Sequence, residues 1–155
     1  MSRLVASWPF PLTREMALEK VTTARADAAS GSALPYIIES KGSLRPIGWI
    51  GITRKAESVA SLGYWLGEEH HGCGLMREAA EPVVETAFRV MDLDTIEAAA
   101  QVGNLASFAV LRHCGFREVG SRMIYAPSRD RHEMCTAFEA TRSSRRGASW
   151  NSVPL

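Results

Sequence analysis

Apolar positions recur along the chain with two periods, and the changes of period mark its elements. Over residues 14–28, Met16, Ala17, Val21, Ala24 and Ala28 fall on one face at helical spacing. They predict an amphipathic helix entered through Thr13 as N-cap and ended by Ser30 and Gly31. Residues 35–40 and 46–53 are runs rich in isoleucine and aromatics, separated by Lys41-Gly42-Ser43, and read as two paired strands. A third strand is predicted over 59–66. From Gly74 the helical period returns, with Met76, Ala79, Ala80, Val83, Val84, Ala87, Phe88 and Met91 on one stripe. Pro82 lies within that stripe and predicts an interruption and a kink. Residues 94–102 alternate, with Ile96, Ala98 and Ala100 on one side and Glu97, Ala99 and Gln101 on the other.

The order strand, helix, strand favours a right-handed parallel crossover. Asn104 then suits the N-cap of a short helix carrying Leu105, Phe108, Ala109 and Leu111, with Gly115 in the C-terminal role. Two final strands, 117–125 and 132–140, flank a hairpin loop at 126–130. Ahead of the first helix, Trp8, Pro9, Phe10 and Pro11 form a rigid, non-helical opening. Residues 1–141 therefore read as one domain of mixed α/β (α+β) class. Residues 142–155 shift to Arg, Ser, Gly and Asn and read as a flexible basic tail.

Residues 62–80 organise the rest. A strand ends in polar residues, Gly72 and Gly74 follow one residue apart, and a helix begins at once. Such a junction leaves backbone N–H groups unpaired at the positive end of a helix dipole, a seat for phosphate oxygens that glycines let approach closely. The same spacing also serves as an ordinary tight turn.

Composition narrows the classes without choosing among them. The chain has 155 residues and a formal net charge of +1, which fits one globular domain and gives no general pull towards nucleic acid. The arginines of the tail read as solvated. No apolar run approaches a membrane span and no signal peptide is visible, so a cytoplasmic address is expected. Three cysteines, Cys73, Cys114 and Cys135, lack Cys-x-x-Cys spacing, which argues for reduced thiols and against structural zinc. His70, His71 and Cys73 lack a fourth ligand, so no metal site is expected. Cys73 has no visible partner for nucleophilic catalysis.

Two segments taken together are more specific. GYWLGEEHHGCGLMREA, followed after one helix and one strand by NLASFAVLRHCGF, resembles the GNAT superfamily of acyl-CoA-dependent N-acetyltransferases. The resemblance is nearest to the branch of ribosomal-protein N-terminal alanine acetyltransferases, and it runs from about Trp8 to Tyr125. It implies a mixed, mostly antiparallel sheet with a central splay beside the third strand and helices on both faces. It implies acetyl-CoA as cosubstrate and transfer of acetyl to a primary amine, a protein N-terminus or a small amine, in a ternary complex. The backbone of Trp65, Leu66 and Gly67 would pair with the pantetheine arm, as an added strand does. The amides of His71, Gly72, Cys73, Gly74 and Leu75 would hold the pyrophosphate. Asn104 matches a residue that contacts the cofactor arm, and Ser107 matches a hydroxyl near the thioester sulfur.

On this resemblance Leu66 N–H is the expected oxyanion donor and Ser107 the general acid. Asn104 as a plain N-cap, and Ser107 bonded only to backbone, are the structural alternatives. The base is open among Glu68, Glu69 and His70, with Glu68 placed first; an α-amine could also pass its proton to bulk water. Tyr64 and Trp65 alternate across the strand, one towards the core and the other towards the cleft.

Three features depart from the family pattern. Glu69 stands where arginine or glutamine is usual and Cys73 where lysine or arginine is common, so the loop has lost positive charge. His70 and His71 would restore part of it if protonated. The chain also starts almost at the segment that a strand and one or two helices ordinarily precede. The strand at 35–40 is then expected to expose an edge and pair in a homodimer. A cofactor-binding but inactive regulatory module is the rival reading, and acylation of aminoacyl-tRNA by the same fold is a third.

Overall fold

A computed structural model describes residues 11–127 and 129–146. Its elements are α1 (Arg14–Ala29), β1 (Ala33–Glu39), β2 (Pro46–Ala56), β3 (Val59–Leu66), α2 (Leu75–Val90), β4 (Thr95–Gln101), α3 (Leu105–His113), β5 (Arg117–Ala126), β6 (Arg131–Thr141) and α4 (Arg142–Arg146). A single 3-10 turn, Glu68–His70, lies between β3 and α2. The predicted opening at Trp8, Pro9 and Phe10 and the tail residues 147–155 lie outside the described residues.

Six strands form one sheet in the order β1-β2-β3-β4-β6-β5. Every neighbouring pair is antiparallel except β3 and β4, which run parallel as the crossover through α2 requires. Their pairing is brief: Val59 faces Thr95, Ala60 faces Ile96 and Ser61 faces Glu97. Beyond Ser61, β3 runs on to Leu66 and β4 to Gln101 without a shared register, so the sheet opens as a wedge.

One sheet face carries the core. Ile50, Ile52, Ala60, Leu62, Leu66, Ile96, Ala98, Ala100, Phe138 and Ala140 are buried on it beneath Met76, Ala80, Val84, Ala87 and Phe88 of α2 and Leu111 of α3. The apolar stripe predicted for α2 is thus the packed face. Pro82 does not divide the helix: it sits exposed on the outer side, where solvent can satisfy the carbonyl it leaves without a donor. Close packing also fixes a glycine, because a Cβ at Gly48 would stand 2.5 Å from the Trp65 carbonyl oxygen on the neighbouring strand.

The opposite face is covered differently. Helix α1 lies by β1 but buries no residue, and its predicted core positions Met16 and Val21 are 40% and 51% exposed. Ala17, Lys20, Ala24 and Asp27 are its half-buried positions. The short side chains among them leave the helix standing off the sheet over a cavity of about 940 Å³, whose walls include Ala28, Pro35, Ile37 and Trp49. The Trp49 ring lies over Gly51 and Gly63, 2.6 Å and 3.4 Å from where their Cβ atoms would stand.

The tail does not start at Arg142 as expected. Residues Arg142–Arg146 form α4, and the Arg142 guanidinium donates to the Leu93 carbonyl at 2.9 Å and to Asp92 at 3.0 Å. Its backbone N–H donates to Asp94 O at 2.9 Å. These bonds tie the end of β6 to the connection between α2 and β4.

Two acidic groups form ion pairs on the face of α1, one across strands and one at the β5–β6 turn. Glu97 accepts from Lys55 at 2.9 Å and lies 3.6 Å from Arg122, joining β2, β4 and β5. Glu133 is buried and accepts from Arg129 Nε at 2.7 Å and Arg131 Nε at 2.8 Å. The Lys55 hydrogen bond holds the Glu97 carboxyl below its ordinary value of 4.5, and the Arg129 hydrogen bond does so for Glu133. Each carboxyl therefore binds a proton less readily folded than unfolded, adding stability that is full above pH 4.5 and lost as pH falls through the lowered folded value. A Glu97→Gln, Glu133→Gln double variant is expected to lose less melting temperature between about pH 5 and about pH 3 than the unaltered protein in calorimetry. Equal losses would show that these pairs are not coupled to folding.

Candidate active site

The wedge is where the two singled-out segments meet. A cleft of about 300 Å³ is lined on one side by Tyr64, Trp65 and Leu66 of β3, and on the other by Asn104, Ala106, Ser107, Ala109 and Val110. His70, His71, Gly72, Gly74, Leu75, Met76 and Arg77 close one end. Tyr64 and Trp65 both line it, although they point to opposite sheet faces: Tyr64 packs against the core and Trp65 pairs with Trp49 on the face of α1.

Backbone direction decides which strand groups face the wedge. Gly67 N–H donates to Ile47 O on β2 at 2.8 Å, and backbone groups alternate between the two edges of a strand. Leu66 N–H and C=O therefore face the wedge, while those of Trp65 face β2. The Leu66 carbonyl is met by His71 Nε2 at 3.0 Å, so that nitrogen carries the hydrogen. Gly67 departs from expectation: besides its N–H, its carbonyl accepts from His70 N–H at 2.9 Å. Both of its backbone groups are used within the fold.

The loop leads through two left-handed glycines into a helix N-terminus that no side chain caps. Gly72 and Gly74 have φ of 76° and 77°, which a side chain resists, and Gly74 is the N-cap of α2 with no side chain bonded there. The first intrahelical bond runs from Glu78 N–H to Gly74 O at 3.0 Å. The amides of Leu75, Met76 and Arg77 thus lack helical acceptors and carry the positive end of the dipole. His71 differs, since its amide donates to Glu68 O at 3.1 Å. Cys73 is exposed, does not line the cleft, and its Sγ lies 3.6 Å from His71 O. Arg77, unremarked in the sequence, brings a cation to the cleft from the first turn of the helix. Its signal was there to find: an arginine at the third position of a helix begins within reach of whatever the first turn binds.

Glu68 is not brought to the site. It opens the 3-10 turn, is exposed, and is absent from the cleft lining, as is Glu69, whose carboxylate lies 3.3 Å from His70 Nε2. Three residues of turn rotate both carboxylates outward. Among the described residues no group of three or more His, Cys, Asp or Glu could hold a metal ion, and no helix is long and apolar enough to cross a membrane.

On the far wall, Asn104 Oδ1 caps α3 by accepting from Ser107 N–H at 3.1 Å, and its side chain also lines the cleft. Ser107 is half-buried. No hydrogen bond among the described residues occupies its hydroxyl, so it does not spend that group on the helix backbone. Its carbonyl accepts from the Tyr64 hydroxyl at 3.3 Å. Burial pushes the Tyr64 phenol up to about 12, so it stays a donor at neutral pH.

Comparison with known proteins agrees with this geometry. The family model for the acetyltransferase (GNAT) domain matches residues 1–117. The probable N-acetyltransferase YjcK of Bacillus subtilis (strain 168) is 42% identical over 69 residues, 44% of this chain and 38% of that protein. Mycobacterium smegmatis RimJ in complex with CoA-disulfide superposes with a TM-score of 0.73 at 28% identity, over 83% of this chain and 62% of that one. The ribosomal-protein-S5-alanine acetyltransferase of Vibrio fischeri superposes with a TM-score of 0.75 at 22% identity, over 88% and 79%, a likeness of fold. This chain thus spans less than two thirds of YjcK and of RimJ. With most of its length matched and its sheet splayed where the paired segments meet, the chain belongs to the GNAT acetyltransferase family.

Proposed function

We propose that this protein is an acetyl-CoA-dependent N-acetyltransferase that passes an acetyl group directly to a primary amine while both substrates are bound. The observation that carries this reading is the wedge between β3 and β4, open from Leu62 onward and ending at an uncapped helix N-terminus with Arg77 beside it. The cavity residues fit the cosubstrate: an open strand edge for an amide-bearing arm, free helix amides and a cation for phosphates. RimJ, a relative of the same fold, was solved in complex with CoA-disulfide.

When bound, acetyl-CoA supplies an acyl thioester already activated towards amines. Leu66 N–H, facing the wedge, donates to the thioester carbonyl oxygen as it gains negative charge. Leu66 C=O is available to an arm amide once the His71 imidazole gives way. Gly72, Cys73, Gly74 and Leu75 offer backbone amides to the pyrophosphate, with Arg77 adding the charge that the loop itself lacks. Asn104 presents its side-chain amide from the opposite wall. As the amine nitrogen bonds to carbon and the carbon–sulfur bond breaks, the Ser107 hydroxyl donates to the departing sulfur.

The amine proton needs no dedicated side chain if the acceptor is an α-amine. With a pKa near 8, roughly a tenth of such groups are neutral at pH 7. This suits a cleft from which Glu68 is turned away, and it favours a protein or peptide N-terminus over a lysine. The acceptor approaches from the face of α1, where the larger cavity ends at Trp49 beside Trp65. The exposed outer edge of β1 is the proposed homodimer contact. Light scattering behind a sizing column is expected to give twice the chain mass, and a monomer at high micromolar concentration would remove that contact.

Titration calorimetry with acetyl-CoA tests the reading first: binding is expected, and silence at high micromolar concentration ends it. Arg77→Ala is expected to weaken acetyl-CoA binding roughly 10- to 150-fold, the scale of one charge-assisted hydrogen bond. Ser107→Ala is expected to lower turnover on N-terminal peptides, read by thiol release, with nearly unchanged acetyl-CoA affinity. Binding without thiol release across a panel of peptides and small amines would favour the inactive cofactor-binding module.

A further inference from the structure

Parallel strands that part after three residue pairs leave little backbone to set how far the two sides of the wedge stand apart. Something must fix the first turn of α3 against β3 to within the fraction of an ångström that chemistry requires. The lower part of α3 is seated by ordinary packing. Phe108 meets Phe138 edge-on with ring centroids 5.1 Å apart, and Leu111 is fully buried. These contacts anchor the helix to the core and leave its first turn, at the cleft, to be fixed by other groups.

Two side chains grip that turn at one residue. Asn104 Oδ1 takes the N–H of Ser107 at 3.1 Å, from within the same turn. The Tyr64 hydroxyl takes the C=O of Ser107 at 3.3 Å, from across the wedge on β3. A helical carbonyl has a second lone pair to offer, so this bond does not compete with the helix. The main chain of Ser107 is therefore held from both ends while its hydroxyl is left uncommitted.

We propose that Tyr64 is a positioning residue: its hydroxyl is a strut that fixes the distance between β3 and the first turn of α3, and so places the Ser107 hydroxyl against the reacting thioester. Resting on the reading of the cleft as an acetyl-transfer site, this adds a role for a residue that the strand pattern alone leaves open between core and cleft. Tyr64 does not itself deliver the proton, because its hydrogen is engaged by the Ser107 carbonyl. Burial holds the phenol protonated at working pH, so the strut does not slacken as conditions change. The ring packs against the core beside the cleft, and only its hydroxyl spans the gap.

Tyr64→Phe removes the hydroxyl and keeps the ring, so the fold is retained and melting should confirm it. In this variant kcat for acetyl transfer is expected to fall roughly 3- to 10-fold, the worth of one hydrogen bond, with KM for acetyl-CoA within about twofold. In a Ser107→Ala background the same change should have no further effect, since a strut for Ser107 has nothing left to place. Independently of activity, amide exchange in the ligand-free protein should quicken over residues 105–110 in Tyr64→Phe and stay unchanged along α2. Equal losses of kcat in both backgrounds, or a raised KM with kcat kept, would overturn the proposal by showing that Tyr64 acts on its own. Unchanged exchange over residues 105–110 would overturn it as well. A wild type that binds acetyl-CoA but acetylates nothing would defeat the proposed function, and the exchange measurement would still decide the strut.

Discussion

The structure depends on a pairing that stops early. β3 and β4 share a register over three residue pairs and then part, although each strand continues. Parallel neighbours normally exhaust their backbone groups on one another. Here the continuation of β3 keeps its inner edge open because its outer edge is fully used: β2 pairs with it from Val59 to Leu66. Gly48 permits this by letting the strands approach opposite Leu66. A strand held so firmly on one side can carry unpaired groups on the other without fraying, and the cleft follows from that asymmetry.

Charge in the cleft is arranged by the helix more than by the loop. The loop carries Glu69 and Cys73 at places where the family pattern favours basic or amide side chains, yet both, like Glu68, are exposed and outside the cleft lining. What lines the cleft at that end is backbone amide, His70, His71 and Arg77. The two glutamates are therefore weaker opponents of an anionic ligand than their sequence positions suggest, since water screens charges that point away from the site. Arg77, in the first turn of the helix, brings a cation to the cleft lining.

Much of this was legible in the sequence where local rules suffice. The span of β3, the Asn104 cap, Gly115 after α3 and the crossover through α2 all follow from period, capping and turn chemistry. The paired segments disclosed the family, and with it the splay, which no single element encodes. Long-range reach was hidden. The Tyr64 hydroxyl bonds to a residue 43 positions away, and nothing in an alternating strand says which ring has a polar partner. The outward turn of Glu68 depends on one 3-10 turn. The apolar stripe read for α1 is not its packed face: Met16, Val21 and Ala28 are exposed, and the half-buried positions are Ala17, Lys20, Ala24 and Asp27, whose short or polar side chains do not fill the gap. Arg142 reads as the start of a polar tail, and its anchoring to Leu93 O and Asp92 became visible only with the fold.

The two faces of the sheet differ in a way that concerns evolution as well as packing. α2 is embedded in the core by five buried residues, whereas α1 has none. Substitutions along α1 therefore meet few steric neighbours, and local opening there draws on little of the global stability. The side of the sheet packed beneath α2 can stay constant while the helix opposite drifts in sequence. If the proposed transfer holds, a division of this kind would let one chemistry be offered to a succession of different acceptors without rebuilding the site that performs it.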